Sequence, residues 1–336
     1  MLFSRTILTP ILALMLSCSA YAQTPIRFAL DWRFEGPSAP FFLALKKGYY
    51  KAEGLDVSID AGNGSIDSLR KVAVGSHQIG FADMNALIQY RDDSQNPAIA
   101  GVMMLYDKPA YAIISLKKKK ILKPADLEGR YLGMPPKDSE ELTWPIFVSA
   151  NGIDDRVIKL QPVSFTNREQ MLVSGQVDAI AGFWFSSFMA LKSMGIQGAD
   201  IQALMLRDWG VELYGNALVA SPEMIKSNPK AISGFIRATI KAIQESIRNP
   251  SEAIEALAAY QPSVSKQDEL ERLRLVLEEN VLTFEARKDG IGGVRPARLA
   301  RAIDQLGIAY QFRAKPAAAD VFTDQFLPPA ELRRAR

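Results

Sequence analysis

Three kinds of residue in this 336-residue chain are of the type and placement to meet a small molecule. The first is aromatic. Trp32 and the pair Phe183-Trp184 each follow an apolar run with the character of a strand. A ring at a strand end can stack on a flat ligand, worth about 0.5–1.5 kcal/mol beyond area burial. The second is a set of helix starts. Gly64-Ser65 ends a Gly62-Asn63-Gly64 turn and opens a helical pattern. A helix N-terminus offers unpaired N–H groups and partial positive charge, glycine permits close approach, and a carbonyl or anionic group can sit there. Asp83 and Asn85 repeat this placement at the next helix start, and Ser139 holds the corresponding place further on. The third kind is polar. Asp31 could accept from a ligand N–H, Tyr111 stands beside an expected chain crossing, and Ser187, after the aromatic run, can donate and accept. Each has a plainer reading: core packing for the rings, a turn or cap for Asp31, Gly64-Ser65 and Asp83, and hinge packing for Tyr111.

Catalytic and metal chemistry find little support. With one His and one Cys there is no histidine relay, no thiolate metal site and no intrachain disulfide. No HExxH, Walker A or GxSxG pattern occurs. His77, after Gly75, is expected on the surface. No enzyme activity, metal or cofactor is implied. The net charge of +3 is too small for a nucleic-acid footprint, and Lys117–Lys120, with no interleaved aromatics, is expected to be a solvated turn.

The first 22 residues have the pattern of a secretory leader. Arg5 precedes the apolar run Ile7–Leu16, and Ala20-Tyr21-Ala22 is a small-x-small cleavage site. Cleavage after Ala22 would remove Cys18. Lipidation of Cys18 is the alternative, for which Met15-Leu16-Ser17 is a poor preceding motif. An exported protein of the periplasm is expected.

The elements that must position these residues alternate. Strands are expected at Ile26–Leu30, Leu55–Ile59, Gln78–Ala82 and Ile99–Met104, with helices at Ser38–Lys47, Ser65–Val74 (capped by Ser65) and from Asp83 to Tyr90. This order predicts a mostly parallel sheet with helices on both faces. The pattern restarts at Ala110–Leu116, with strands Arg130–Gly133, Val157–Leu160, Val177–Ala181 and Ala203–Leu206. Helices at Ser139–Ala150, Asn167–Ser174 and Trp184–Met194 lie among them. Ala217–Ala220 is a last strand. Beyond Ser221 the spacing is helical, with Ile232, Phe235, Ile236, Ile240 and Ile243 on one face, Ser251 as a cap, and a short helix from Pro296 to Gly307. The expectation is an α/β protein of two lobes: 25–110 plus 215–336, and 111–214. The chain crosses between them near Tyr111 and Gly215, making a cleft with two hinge crossings. Ligands of such sheets bind outside the carboxyl ends of the strands.

Several runs are similar to one family. They are Ala29-Leu30-Asp31-Trp32, Pro40–Leu45, Lys47–Val57, Ile79-Gly80-Phe81-Ala82-Asp83, Ser174–Ala179 and Tyr214-Gly215-Asn216. Together they resemble the solute-binding proteins of ABC importers for nitrate, sulfonates, taurine and thiamine pyrimidine precursors. The resemblance implies a monomeric periplasmic-binding-protein type II-like fold without catalysis of its own, a small-molecule ligand, and an inner-membrane ABC permease as partner. The pyrimidine-precursor branch is the most similar, through the Asp-Trp after the first strand and the aromatic run after Asp178-Ala179. Those relatives commonly carry a carboxylate at the end of that run, where this chain has Ser186 and Ser187.

The ligand expected is therefore a flat, largely neutral ring held between Trp32 and Trp184. No Arg or Lys falls within Gly62–Ser65 or Gly182–Ser187, where a sulfonate or nitrate would want a fixed cation; Arg33 is the nearest exception. An oxyanion or a riboflavin-type ligand is the alternative. A pyrimidine-precursor synthase, or a periplasmic sensor, is the remote one.

Overall fold

The computed structural model describes residues 23–136 and 139–335, with backbone alone for Ser139 and Glu140. The expected leader, its cleavage site and Cys18 lie outside these residues, as does the Ser139 side chain.

The alternation of strands and helices holds. β1 (Thr24–Ala29), α1 (Ala39–Lys46), α2 (Tyr49–Ala52), β2 (Leu55–Asp60), α3 (Ser65–Ala73), β3 (Ile79–Asp83), α4 (Met84–Tyr90) and β4 (Ala100–Met104) come first. β5 (Tyr111–Leu116), β6 (Tyr131–Met134), α5 (Ser139–Asn151), β7 (Lys159–Pro162), α6 (Arg168–Val173), β8 (Ala179–Phe183), α7 (Trp184–Ser193) and β9 (Ile201–Met205) follow, then β10 (Asn216–Ala220). One sheet has the order β2-β1-β3-β10-β4, the other β7-β6-β8-β5-β9.

Neither sheet is wholly parallel. β10 runs antiparallel to β3 and β4, and β5 runs antiparallel to β8 and β9. The connections explain this. A parallel neighbour needs a long crossover, usually a helix. β5 and β10 instead arrive directly from the other sheet, through the segments after β4 and after β9. A strand that enters at the carboxyl edge of a sheet must run against its neighbours.

The C-terminal third is helical: α8 (Pro222–Ser227), α9 (Pro229–Arg248), α10 (Pro250–Tyr260), α11 (Lys266–Val276), α12 (Phe284–Asp289), α13 (Pro296–Ala309) and α14 (Ala318–Val321). Asn249, not Ser251, precedes α10, because Pro250 already occupies its first turn. Gly307 lies inside α13 rather than beyond its end. The apolar face of α9 packs under the first sheet, where Phe235 meets Phe28 at 5.1 Å and stacks on Tyr50 at 4.7 Å. α9 and α10 cover α1, while α11 reaches α7 and α13 packs along α5, so the tail touches both lobes. Among the described residues no helix is long and apolar enough to cross a membrane.

Candidate ligand-binding cleft

The carboxyl ends of both sheets face one cavity, about 730 Å³ and open to solvent. From the first lobe it is lined by the segment after β1 (Leu30–Arg33), Gly64-Ser65 at the head of α3, Phe81, and Tyr106 after β4. From the second it is lined by Phe165 and Arg168 after β7, Phe183 at the end of β8, and Phe185 and Ser186 in the first turn of α7.

The first-lobe wall is held by short-range backbone contacts. Gly62 and Gly64 donate to the carbonyls of Trp32 and Asp31, at 3.0 and 2.7 Å. A Cβ on Gly62 would lie 2.0 Å from the Leu30 carbonyl oxygen, so no side chain fits there. Gly64 has φ +96° and precedes α3. Ser65 does not cap α3; its hydroxyl accepts from the Asp83 N–H at 2.9 Å, and Asp67 accepts from Asn63 N–H instead. The Asp31 carboxylate accepts from Asn216 Nδ2 at 2.6 Å, which fixes it against the start of β10. Glu35, also in the lining, pairs with Arg272 of α11. The backbone of Gly36 donates to Glu269 at 2.5 Å, anchoring this loop.

The second-lobe wall is built around an ion pair. Arg168, the first residue of α6, donates through Nε to Glu169 at 2.7 Å, and both side chains are 6% exposed. The same Glu169 oxygen accepts from the Ser187 hydroxyl at 2.7 Å. A Cβ on Gly182 would stand 2.8 Å from Arg168 Cζ and 2.9 Å from Ser187 Oγ. The absence of a side chain at Gly182 thus makes room for the guanidinium. Arg168 Cζ lies 5.8 Å from the Phe165 ring centroid.

Beneath the cavity is a buried polar knot. Asp83 caps α4, accepting from the N–H groups of Asn85 and Ala86 at 2.9 and 3.0 Å. Its other oxygen accepts from the Tyr111 hydroxyl. Asn85 Nδ2 donates to Tyr111 Oη at 2.9 Å and to the Tyr214 carbonyl at 2.7 Å. Burial pushes the Asp83 carboxyl up to about 6, while Tyr111 and the helix N–H groups pull it down. The knot joins the first lobe to β5 and to the segment leading into β10.

Of the residues singled out in the sequence, Asp31, Trp32, Gly64, Ser65 and Phe183 line the cavity together. Asp83, Asn85 and Tyr111 are buried behind it, and the α4 start is filled by its own cap. Trp184 lies outside the lining and packs on Phe188 at 4.7 Å. The first residue of α7 turns to the outer face of β8, and Phe165 is the second-lobe ring that meets Trp32 instead, at 5.2 Å. Ser187 is fully buried against Glu169, and its neighbour Ser186 faces the cavity. Ser139 opens α5, outside the described side chains.

Sequence reasoning missed Phe165 and Arg168, and with Arg168 the cation that Gly182–Ser187 lacks. Their signal was positional. The sequence ends the strand before them at Leu160, whereas β7 extends to Pro162. The loop at its carboxyl end then falls on the cleft, as the strand-end rule requires. His77 is buried rather than on the surface. It is 4% exposed, with Nε2 2.9 Å from Asp60, and burial lowers its proton affinity. It precedes β3, at the end away from the cavity. Lys117–Lys119 forms a 3-10 turn in which Lys119 pairs with Asp178 at 2.7 Å.

Known proteins resemble the chain over most of its length. The model of the NMT1/THI5-like family matches residues 36–253. The riboflavin-binding protein RibY of Chloroflexus aurantiacus is 24% identical over 296 residues, covering 86% of this chain and 82% of that protein. The formylaminopyrimidine-binding protein of Halalkalibacterium halodurans is 26% identical over 264 residues, covering 77% and 78%. In three dimensions the periplasmic aliphatic sulphonate binding protein SsuA of Escherichia coli superposes with a TM-score of 0.69 at 16% identity, covering 88% of this chain and 91% of that one. The two-lobed fold is that of periplasmic binding proteins.

Proposed function

The chain belongs to the NMT1/THI5-like family, and from that premise we propose that it is the periplasmic solute-binding component of an ABC importer. It captures a small flat ring, of pyrimidine size or somewhat larger, and presents it to an inner-membrane permease. The observation that carries this reading is the cavity itself. It lies between the carboxyl ends of two sheets, with Trp32 and Tyr106 on one side and Phe165 and Phe183 on the other. Aromatic walls of this kind favour a planar, largely apolar ligand, and a few placed polar groups fix its orientation. The two relatives named for a flavin and a pyrimidine point to the same ligand class. The position of His77 supports binding over catalysis, since it lies away from the lining.

Arg168 gives the oxyanion alternative a specific footing, because a sulfonate or nitrate would want a fixed cation. A thermal-unfolding screen of the mature protein separates the two. Riboflavin, aminopyrimidines, ethanesulfonate and nitrate are each added in excess. A ligand at 100 times its Kd raises stability by about 2.7 kcal/mol. Stabilisation by a ring and not by the oxyanions is expected; the reverse would overturn the ring reading.

A further inference from the structure

Arg33 stands apart from the other charged side chains of the cleft lining. Asp31 accepts from Asn216, Glu35 pairs with Arg272, and Arg168 donates to Glu169 and to the Ala181 carbonyl. Arg33 lines the same cavity, with its guanidinium over the Trp32 ring, Cζ 5.4 Å from the centroid. Among the described residues its side chain has no ion pair and no hydrogen bond. Resting on the ring-binding reading above, we propose that the solute is an aromatic acid. Its flat ring stacks on Trp32, and an anionic group at the ring's edge is received by Arg33.

The fold fixes where Arg33 stands. Just before it, the carbonyls of Asp31 and Trp32 accept from the N–H groups of Gly64 and Gly62. Just after it, the Gly36 N–H donates to Glu269. The segment is pinned on both sides of Arg33, which is thereby delivered to the cleft rather than to a loose surface loop. Its neighbours on the wall do not neutralise it. The carboxylates of Asp31 and Glu35 are each anchored to a partner that is itself buried, Asn216 and Arg272. The charge of Arg168 is answered by Glu169. Arg33 is thus the lining cation placed to meet a charge that the solute brings. A cation–π contact at an exposed site is weak, and it leaves the N–H donors of the guanidinium open. Their planar fork matches a carboxylate or sulfonate. The short reach from Trp32 sets the chemistry: the acid belongs on the ring itself or on a short arm. Phe165 meets the same Trp32 ring from the second lobe, so a solute between the lobes is held beside Arg33. Ring and oxyanion, the two ligand classes weighed above, then become two parts of one molecule. An aliphatic oxyanion would find Arg33 and leave the aromatic walls uncovered.

Calorimetric titration at neutral pH with two matched pairs tests this: nicotinamide against nicotinate, and uracil against orotate. In each pair the ring is kept and the second member carries a carboxylate. The wild type is expected to bind the acids about five- to tenfold more tightly in low salt, and the gap should narrow as sodium chloride is raised. Arg33→Gln should close the gap, the loss falling on the acids. Arg33→Lys keeps the charge without the fork and should keep part of the gap. Arg33 is exposed, so both variants should melt close to the wild type. A role confined to holding Trp32 in place would weaken both members of each pair alike and leave the gap intact. Equal affinities within both pairs, or a gap that survives Arg33→Gln, overturns the inference and leaves the ring-binding reading standing. If none of these rings binds, both fall.

Discussion

Trp32 and Phe165 meet edge to face, their ring centroids 5.2 Å apart at an interplanar angle of 64°, one ring from each lobe. A flat solute entering between the lobes must displace this contact and replace it with its own faces. Trp32→Ala and Phe165→Ala should each weaken ring binding by about 1.5 kcal/mol through lost burial and stacking. Because the two rings share one partner, the double substitution should cost less than the sum. Calorimetry on the three variants measures this, and a single substitution that leaves binding unchanged would place the ligand against the other ring alone.

The glycine turn between β2 and α3 should be sensitive at two positions for different reasons. Gly62→Ala puts a Cβ against the Leu30 carbonyl oxygen, so the turn must leave the β1 end. Gly64→Ala meets open space but is forced to hold φ +96°, a strain of order 1–3 kcal/mol. Chemical denaturation should rank Gly62→Ala as the more destabilised and show its ligand binding lost first. Equal stability of the two variants would mean that the turn relaxes without moving Asp31 and Trp32.

The fold was largely legible in the sequence because its strands are short apolar runs separated by glycine-closed helices. The antiparallel placement of β5 and β10 was not, since strand direction depends on which edge of the sheet the chain enters. The same holds at the cleft. Asp31, Trp32 and Gly64 could be located because they adjoin strand ends that the pattern marks clearly. Phe165 and Arg168 follow a strand whose exposed Lys159 and Leu160 blur its end. The direction of Trp184 is not legible, because a residue just past a strand end can face either side of the sheet once a helix begins there. Tertiary contact decides that, not local pattern.

Asp83 links stability to pH. Its carboxyl is raised from the ordinary carboxylate range to about 6 by burial. The folded state therefore binds a proton more tightly than the unfolded chain does. The ionised form is penalised above about pH 6, and stability gains as pH falls from about 6 towards 4, from this group alone. Asp83→Asn keeps an oxygen for the α4 cap and removes the titration. The difference in melting midpoint between wild type and Asp83→Asn should shift in favour of the wild type on going from pH 7 to pH 4.5. A difference that stays constant across this window would show that Asp83 has an ordinary proton affinity in the fold.

Arg298 of α13 ties the two crossings together. It donates to the Asp107 carboxylate at 3.0 Å, to the Asp107 carbonyl at 2.7 Å and to the Leu213 carbonyl at 3.0 Å, with its guanidinium 3.9 Å from the Tyr214 ring centroid. Asp107 lies on the segment from β4 to β5, and Leu213 and Tyr214 on the segment from β9 to β10. Arg298→Met leaves a buried carboxylate without this partner and should destabilise by about 3 kcal/mol. It should also loosen the hinge, so that small-angle scattering gives a larger radius of gyration for the ligand-free variant than for the wild type. Matching radii would mean that the strands themselves, not Arg298, set the angle between the lobes.

The central claim is that the cleft binds a planar ring through aromatic walls from both lobes. The most direct measurement is a calorimetric titration of wild type and Trp32→Ala with riboflavin and with ethanesulfonate, side by side. The account predicts that the wild type binds the ring one to one, that Trp32→Ala weakens it roughly tenfold or more, and that the sulfonate is ignored by both. Tight sulfonate binding that is indifferent to Trp32→Ala would contradict it and assign the cleft to oxyanions.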